Sequence, residues 1–227
     1  MNKKILVDTG FNSDYANLLM TIFNTKDIDF VEFKDISYDT RYDLILVTGG
    51  ADVDPKYYGE NKGIYTSIDP SRDKKEIRIL EEMLYTNTPK LGICRGSQLL
   101  CAINGGKVIQ HVENHTSPHF VSLNYPGISK NTEIKVTSTH HQMMYPFSMN
   151  PEKYNLIGWS TYYNSNVYLN GNNEQIEVPT NFLEPEIVEF KHSKSLAIQS
   201  HPEFPSFDEK SKQIIIKIIR NTLNINI

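Results

Sequence analysis

Apolar positions in the first half of the chain follow two periods that alternate. Lys4 to Val7 and Leu44-Ile45-Leu46-Val47 are short apolar runs, the second ending in Thr48-Gly49-Gly50. Unbroken runs of this length fit strands buried on both faces. Between them, Asp14 to Phe23 places Leu18, Leu19, Ile22 and Phe23 on one side of a helix, and Asp29 to Phe33 reads as a weaker strand. From Arg72 to Tyr85, Ile77, Leu80 and Leu84 keep helical spacing, and Leu91 to Ile93 forms a strand that runs into Cys94. Strands alternating with helices predict an α/β fold with a parallel sheet covered on both faces.

After Gly105-Gly106 the pattern changes. Phe120 to Leu123, Ile134 to Val136, Ile187 to Phe190 and Leu196 to Gln199 are short strand candidates between segments rich in Asn, Pro, Gly and Tyr, which predicts a small antiparallel addition. Asn164 to Thr180 reads as a surface hairpin or lid. Ser206-Phe207-Asp208-Glu209 has the spacing of a capping box, followed by a helical stripe of Ile214, Ile215, Ile218 and Ile219.

With 227 residues, 39% hydrophobic and 22% charged, the chain has enough apolar material for one domain over residues 1–227. Its 23 basic and 27 acidic residues give a net charge of −4 without a long run of either sign, so neither a nucleic-acid nor a membrane surface is expected. The start, Met1-Asn2-Lys3-Lys4-Ile5-Leu6-Val7-Asp8, has too short an apolar run for a signal peptide, and no stretch approaches a transmembrane span. A cytoplasmic location is the expectation. The only cysteines, Cys94 and Cys101, would stand about 10 Å apart along one helix, beyond disulfide reach, and both are expected to be thiols.

Cys94 carries the candidate chemistry. In Leu91-Gly92-Ile93-Cys94-Arg95-Gly96-Ser97-Gln98 it leaves a strand and enters a helix, where unpaired amides and the positive end of the helix dipole favour a thiolate. The amide of Arg95 would stand where an oxyanion forms, as at serine nucleophile elbows. Small Gly92 and Gly96 suit a tight turn. A thiolate needs a proton carrier, and the carrier needs an orienting carboxylate. His201 follows the strand Leu196 to Gln199, which brings it to the same edge of a parallel sheet, and Glu203 stands two residues on, beyond Pro202.

Other residues divide between chemistry and plain structure. Asp52, Asp54 and Pro55 fit either a loop turn or the mouth of a pocket. His140 and His141 have no carboxylate nearby in sequence. His111, His115 and His119 have spacings that would suit metal ligation on a helix, but Pro118 and the strand beginning at Phe120 break that helix, so metal binding is not expected there. Cys101 is expected to pack behind Cys94.

Together, Gly92-x-Cys94-x-Gly96-x-Gln98 and Gln199-x-His201-Pro202-Glu203 resemble the class I glutamine amidotransferase superfamily. More narrowly, the segment from Gly49 to Glu60, Cys94 to Gln98, Gly105 to Gln110 and His140-His141-Gln142 resemble its γ-glutamyl hydrolase branch, the C26 peptidases that include γ-glutamyl-γ-aminobutyrate hydrolase. The resemblance implies a flavodoxin-like open sheet and a hydrolase without metal or organic cofactor. Cys94 would attack a γ-glutamyl carbonyl, His201 would carry the proton and Glu203 would hold His201. The amides of Gly50 and Arg95 would form the oxyanion hole, with Gln98 and His141 on the substrate. The partner is then a small γ-glutamyl compound, whose leaving group the loops Tyr57 to Asp69 and Asn164 to Thr180 would select. The opening from Ile5 to Leu18 looks more like glutaminase domains that feed ammonia to a synthetase, so a synthetase partner, like a homodimer, is compatible with the chain. A non-catalytic γ-glutamyl-binding module is the remaining alternative. Ser200 stands where the superfamily more often has a bulky aromatic residue.

Overall fold

The computed structural model describes residues 2–161 and 165–225. Strand β1 (Lys3–Val7) leads into α1 (Ser13–Phe23), β2 (Ile28–Glu32) and β3 (Leu44–Val47); α2 (Pro70–Met83), β4 (Lys90–Ile93) and α3 (Arg95–Ile103) follow. The second half carries short strands β5 (Lys107–Ile109) and β6 (His111–Val112), then β7 (His119–Leu123), β8 (Glu133–Val136), β9 (Met143–Tyr145), β10 (Tyr154–Ser160), β11 (Tyr168–Leu169), β12 (Pro185–Phe190) and β13 (Ser195–Ile198). Helix α4 (Glu209–Thr222) ends the described fold.

Nine strands form one sheet in the order β2-β1-β3-β4-β13-β12-β10-β7-β8. From β2 to β13 neighbouring strands are parallel, and from β13 to β8 they are antiparallel. The expected parallel sheet is present, and the antiparallel strands extend that same sheet. Two small two-stranded sheets, β11 with β6 and β5 with β9, lie beside it.

The unbroken apolar runs are explained by the two covered faces. Ile5, Val7, Leu44 and Leu46 pack with Leu18, Ile22, Ile215 and Ile218 of α1 and α4. The alternate residues Leu6, Ile45 and Val47 pack with Ile77, Leu80 and Leu99 of α2 and α3. Side chains of period two thus meet helices on either side.

Local chemistry sets the helix starts. Asp69 caps α2 by accepting from Ser71 N and Arg72 N at 3.1 and 3.0 Å, with Pro70 at the first helical position. Helix α4 departs from the expected capping box. Its cap is Asp208, which accepts from Ser211 N at 2.9 Å, because the Phe207 amide is already bonded to the Phe204 carbonyl and the Phe207 ring is buried. The segment expected as a surface hairpin or lid starts at Asn164, outside the described residues. Its described part pairs with β6 through β11 and reaches the loop after Gly59, where Asn61 Nδ2 donates to Asn172 Oδ1 at 3.0 Å and Ile64 N to Asn173 Oδ1 at 2.9 Å. The two loops expected to select the leaving group are therefore fastened to each other. No helix among the described residues is long and apolar enough to cross a membrane.

Candidate active site

Cys94 is the single residue between β4 and α3, and its backbone is held at φ 52° and ψ −110°. A side chain at positive φ costs on the order of 1–3 kcal/mol and persists only where surrounding contacts offset it. Here they do: the Cys94 amide donates to Ile198 O of β13 at 2.8 Å, and its carbonyl accepts from Ser97 N, Gln98 N and Ser97 Oγ. The flanking glycines serve close approach between elements more than the turn itself. A Cβ on Gly96 would stand 2.0 Å from Val47 O, and one on Gly92 2.4 Å from Gly96 O, so both must be bare for α3 to lie against β3 and β4.

His201 follows β13, the strand beside β4, and so reaches the same sheet edge. Its Nδ1 lies 2.7 Å from Glu203 Oε1 and its Nε2 3.0 Å from Thr139 Oγ1. The ring stacks on Phe204 with centroids 4.4 Å apart. Burial would push this imidazole down, but its interactions with Cys94 and Glu203 outweigh that and hold it up at about 10. Gly49 is where the parts meet: a Cβ there would lie 3.3 Å from His201 Cε1, 3.3 Å from the Tyr15 hydroxyl and 3.7 Å from Cys94 Cβ.

Behind the two loops runs a buried ionic network. Arg72 Nη1 donates to Gly49 O at 3.0 Å, while its other nitrogens reach Asp8, Thr48 Oγ1 and Glu76. The Arg95 side chain turns inward to Glu76 and Asp73, leaving its main chain at the head of α3. Amides in the first turn of a helix have no acceptor within it. Gly50, at φ 148°, has no room for a side chain, since a Cβ would fall 2.2 Å from Arg72 Nη1. Gly50 and Arg95 line, with Cys94, Gln98, Thr139 and His141, a cavity of about 170 Å³. Candidate nucleophile, candidate oxyanion amides and candidate substrate contacts thus share one small space, suited to attack on a carbonyl by sulfur with an imidazole alongside to carry the proton.

Gln98 Nε2 donates to Gln142 O at 3.2 Å, tying α3 to the loop that carries Thr139 to His141. His141 Nε2 lies 3.3 Å from Asp52 Oδ1, and Asp52 Oδ2 accepts from Ser67 N. Of the two readings of the Asp52–Pro55 stretch, Asp52 sits at the cavity, while Asp54 caps the turn at Pro55–Tyr58. Cys101 is buried, its Sγ against Lys107 O, and burial pushes its thiol up to about 12. Neither cysteine is in a disulfide.

Sequence reasoning missed Tyr15, Thr139, Phe204 and the Arg72 network. One signal was readable: Asp73 and Glu76 fall on the same helical stripe as Ile77 and Leu80, and carboxylates on an apolar stripe need buried cations. Tyr15 and Thr139 come from distant segments and leave no pattern.

Comparison with known proteins places the family and the fold. The sequence model of the Peptidase C26 family matches residues 36–152, just over half of the 227-residue chain. The glutamine amidotransferase-like protein YvdE of Lactococcus lactis is 32% identical over 203 residues, covering 82% of this chain and 76% of the relative. Among solved structures, a candidate GMP synthase component from Thermoplasma acidophilum superposes with a TM-score of 0.63 at 18% identity, over 99% of this chain and 94% of that one. A glutamine amidotransferase from Thermotoga maritima gives 0.57 at 17% identity, over 99% and 85%. The structures share the fold, the relative and the family model share the sequence, and the chain belongs to the peptidase C26 family of class I glutamine amidotransferase-like proteins.

Proposed function

We propose that the chain hydrolyses γ-glutamyl amides through a glutamyl thioester on Cys94. Chemistry at an amide bond, of hydrolase or amidotransferase type, follows from the family. The γ-glutamyl substrate and the residue roles go beyond family membership. The observation that carries them is the convergence on Gly49 of Cys94, held at φ 52°, with the His201–Glu203 pair.

In this reading Cys94 Sγ passes its proton to His201 and attacks the γ-carbonyl, and the amides of Gly50 and Arg95 take the oxyanion. His201 gives its proton to the departing nitrogen, so the C–N bond breaks as an amine leaves and the glutamyl group stays on sulfur. Water then enters and gives a proton to His201 as its oxygen attacks the thioester, and His201 returns that proton to the sulfur as glutamate leaves. Glu203 fixes His201 through Nδ1. Gln98 and His141 frame the glutamyl group. The relative named for glutamine amidotransferases supports a second reading, a glutaminase that passes ammonia to a synthetase partner.

Incubating the protein alone with glutamine and a panel of larger γ-glutamyl amides, and following free glutamate, separates these readings. Turnover of the larger amides without a partner is expected. Activity appearing only with glutamine and a synthetase would favour the second reading, and no glutamate from any of them would oppose both.

A further inference from the structure

Three histidines and two glutamates from separate parts of the chain meet in the interior beside the site. His115 lies in the loop before β7, His119 begins β7, His140 belongs to the loop carrying Thr139 and His141, Glu184 immediately precedes β12 and Glu186 lies within it. The sequence disfavoured metal ligation because His115 and His119 share no helix; the fold brings them together without one. All five are buried, none more than 3% exposed.

The pattern of contacts is directional. Each imidazole has an acceptor on its outer nitrogen: Glu184 Oε2 at 3.1 Å from His115 Nε2, Ser117 O at 3.2 Å from His119 Nδ1, and Gln142 O at 2.8 Å from His140 Nδ1. Each inner nitrogen faces one oxygen of Glu186, at 3.4 Å for His115 Nδ1, 3.0 Å for His119 Nε2 and 3.3 Å for His140 Nε2. With an outer acceptor able to hold the N–H on the far side, each ring can turn its lone pair inward to a metal ion, as around zinc-bound histidines, in place of the N–H it otherwise gives to Glu186. These three nitrogen-to-carboxylate distances lie close to the edge of a tetrahedron with metal–ligand bonds of about 2.0–2.1 Å, roughly 3.3 Å. Potential ligand atoms of His115, His140 and Glu186 all fall within 4.8 Å of one another. One buried atom there, Glu186 Oε2, has no hydrogen-bond partner, and His115 Nδ1 has only the 3.4 Å approach to Glu186 Oε1; a buried polar atom left unpaired costs about 1–3 kcal/mol.

We propose that this cluster is a structural site for a divalent transition ion of the zinc class, bound by His115 Nδ1, His140 Nε2 and the Glu186 carboxylate, with His119 Nε2 as the fourth donor. Three imidazoles and one carboxylate are a donor set such ions prefer, and Glu184 with Glu186 balances the charge of a divalent cation in a dry interior. The ion takes no part in bond cleavage. It would lock His140, and so hold its neighbours Thr139 and His141, which face His201 and the cavity.

The test measures zinc by elemental analysis in protein purified without chelator, and refolds the metal-free chain with Co2+. The proposal expects near-stoichiometric zinc, a Tm raised by several degrees when zinc is returned, and the intense visible bands of tetrahedral Co2+. Glu186→Gln and His140→Ala should lose the metal, whereas the exposed His192→Ala should keep it. Folded wild-type protein that holds far less than stoichiometric zinc, and gives no tetrahedral cobalt spectrum, would overturn the site in favour of a proton-filled polar cluster. Retention of the metal by the Glu186→Gln and His140→Ala variants would overturn it equally. These readouts need no substrate, so their failure is separate from failure of the proposed hydrolysis.

Discussion

The Gly49 amide donates to the Tyr15 hydroxyl at 3.0 Å, which joins α1 to the loop that carries Gly50 into the cavity. Burial, then the charge of nearby Glu203, pushes this phenol well above its ordinary range, so it stays a neutral hydroxyl. Tyr15 thus holds the Gly49–Gly50 loop, and in the proposed mechanism it is a positioning residue for the candidate oxyanion amide and the His201–Glu203 pair. Tyr15→Phe removes a net hydrogen bond worth about 1 kcal/mol, so kcat should fall roughly five-fold with KM little changed. Steady-state kinetics on a γ-glutamyl amide check this; a change confined to KM would argue that Tyr15 touches substrate instead.

His201 makes stability depend on pH in a definite direction. Its folded value, about 10, lies above its unfolded 6.5, so the folded state binds the proton more tightly. The stabilisation is fully present below the unfolded value and is lost as pH rises through the folded one. Glu203→Gln removes one partner of the imidazolium, so the variant should be destabilised more near pH 6 than near pH 10. Urea unfolding at the two pH values measures it. An equal loss at both would mean that Glu203 acts through packing alone.

The Arg95 guanidinium is buried against Asp73 and Glu76, with Arg72 closing the other side of Glu76. Arg95→Met leaves two buried carboxylates short of a cation and should cost about 3–5 kcal/mol, whereas the exposed, solvent-screened pair Arg78–Glu82 should contribute far less. Denaturant titration of Arg95→Met against Arg78→Met compares the two. Similar small losses would show that the network is not needed for stability.

Gly96→Ala forces a Cβ onto the Val47 carbonyl, where only 2.0 Å is available. Overpacking of this kind costs about 1–3 kcal/mol, and here it also lifts α3 away from β3. The variant should lose stability and activity together. At Gly105, by contrast, a Cβ would meet nothing within 4 Å, so Gly105→Ala is strained only by its φ of 93° and should leave the site intact. Melting curves and kcat for the two variants separate close approach from turn strain.

How far the sequence predicted this arrangement varies by element. Residues 44–47 and 91–93 were readable as strands because both faces are covered and every position is apolar or glycine. Cys94 and His201 were readable because a strand end fixes where the next residue lies. The His201–Glu203 contact was readable because its partners stand two residues apart. Tyr15, Thr139 and the meeting of His115 with Glu186 were not, because those pairs span separate segments and depend on how loops return to the sheet. The capping box misled for a local reason: Phe207 is drawn into the core, so the helix waits for Asp208.

If the thioester route holds, a glutamyl group resides on Cys94 during turnover. Mass spectrometry of protein quenched in acid while turning over a γ-glutamyl amide detects it. A peptide containing Cys94 should be heavier by one glutamyl group and absent from Cys94→Ala, which should also release no glutamate while keeping its fold. Glutamate release at the wild-type rate by Cys94→Ala, or an adduct on Cys101 with Cys94 unmodified, would refute the thioester on Cys94.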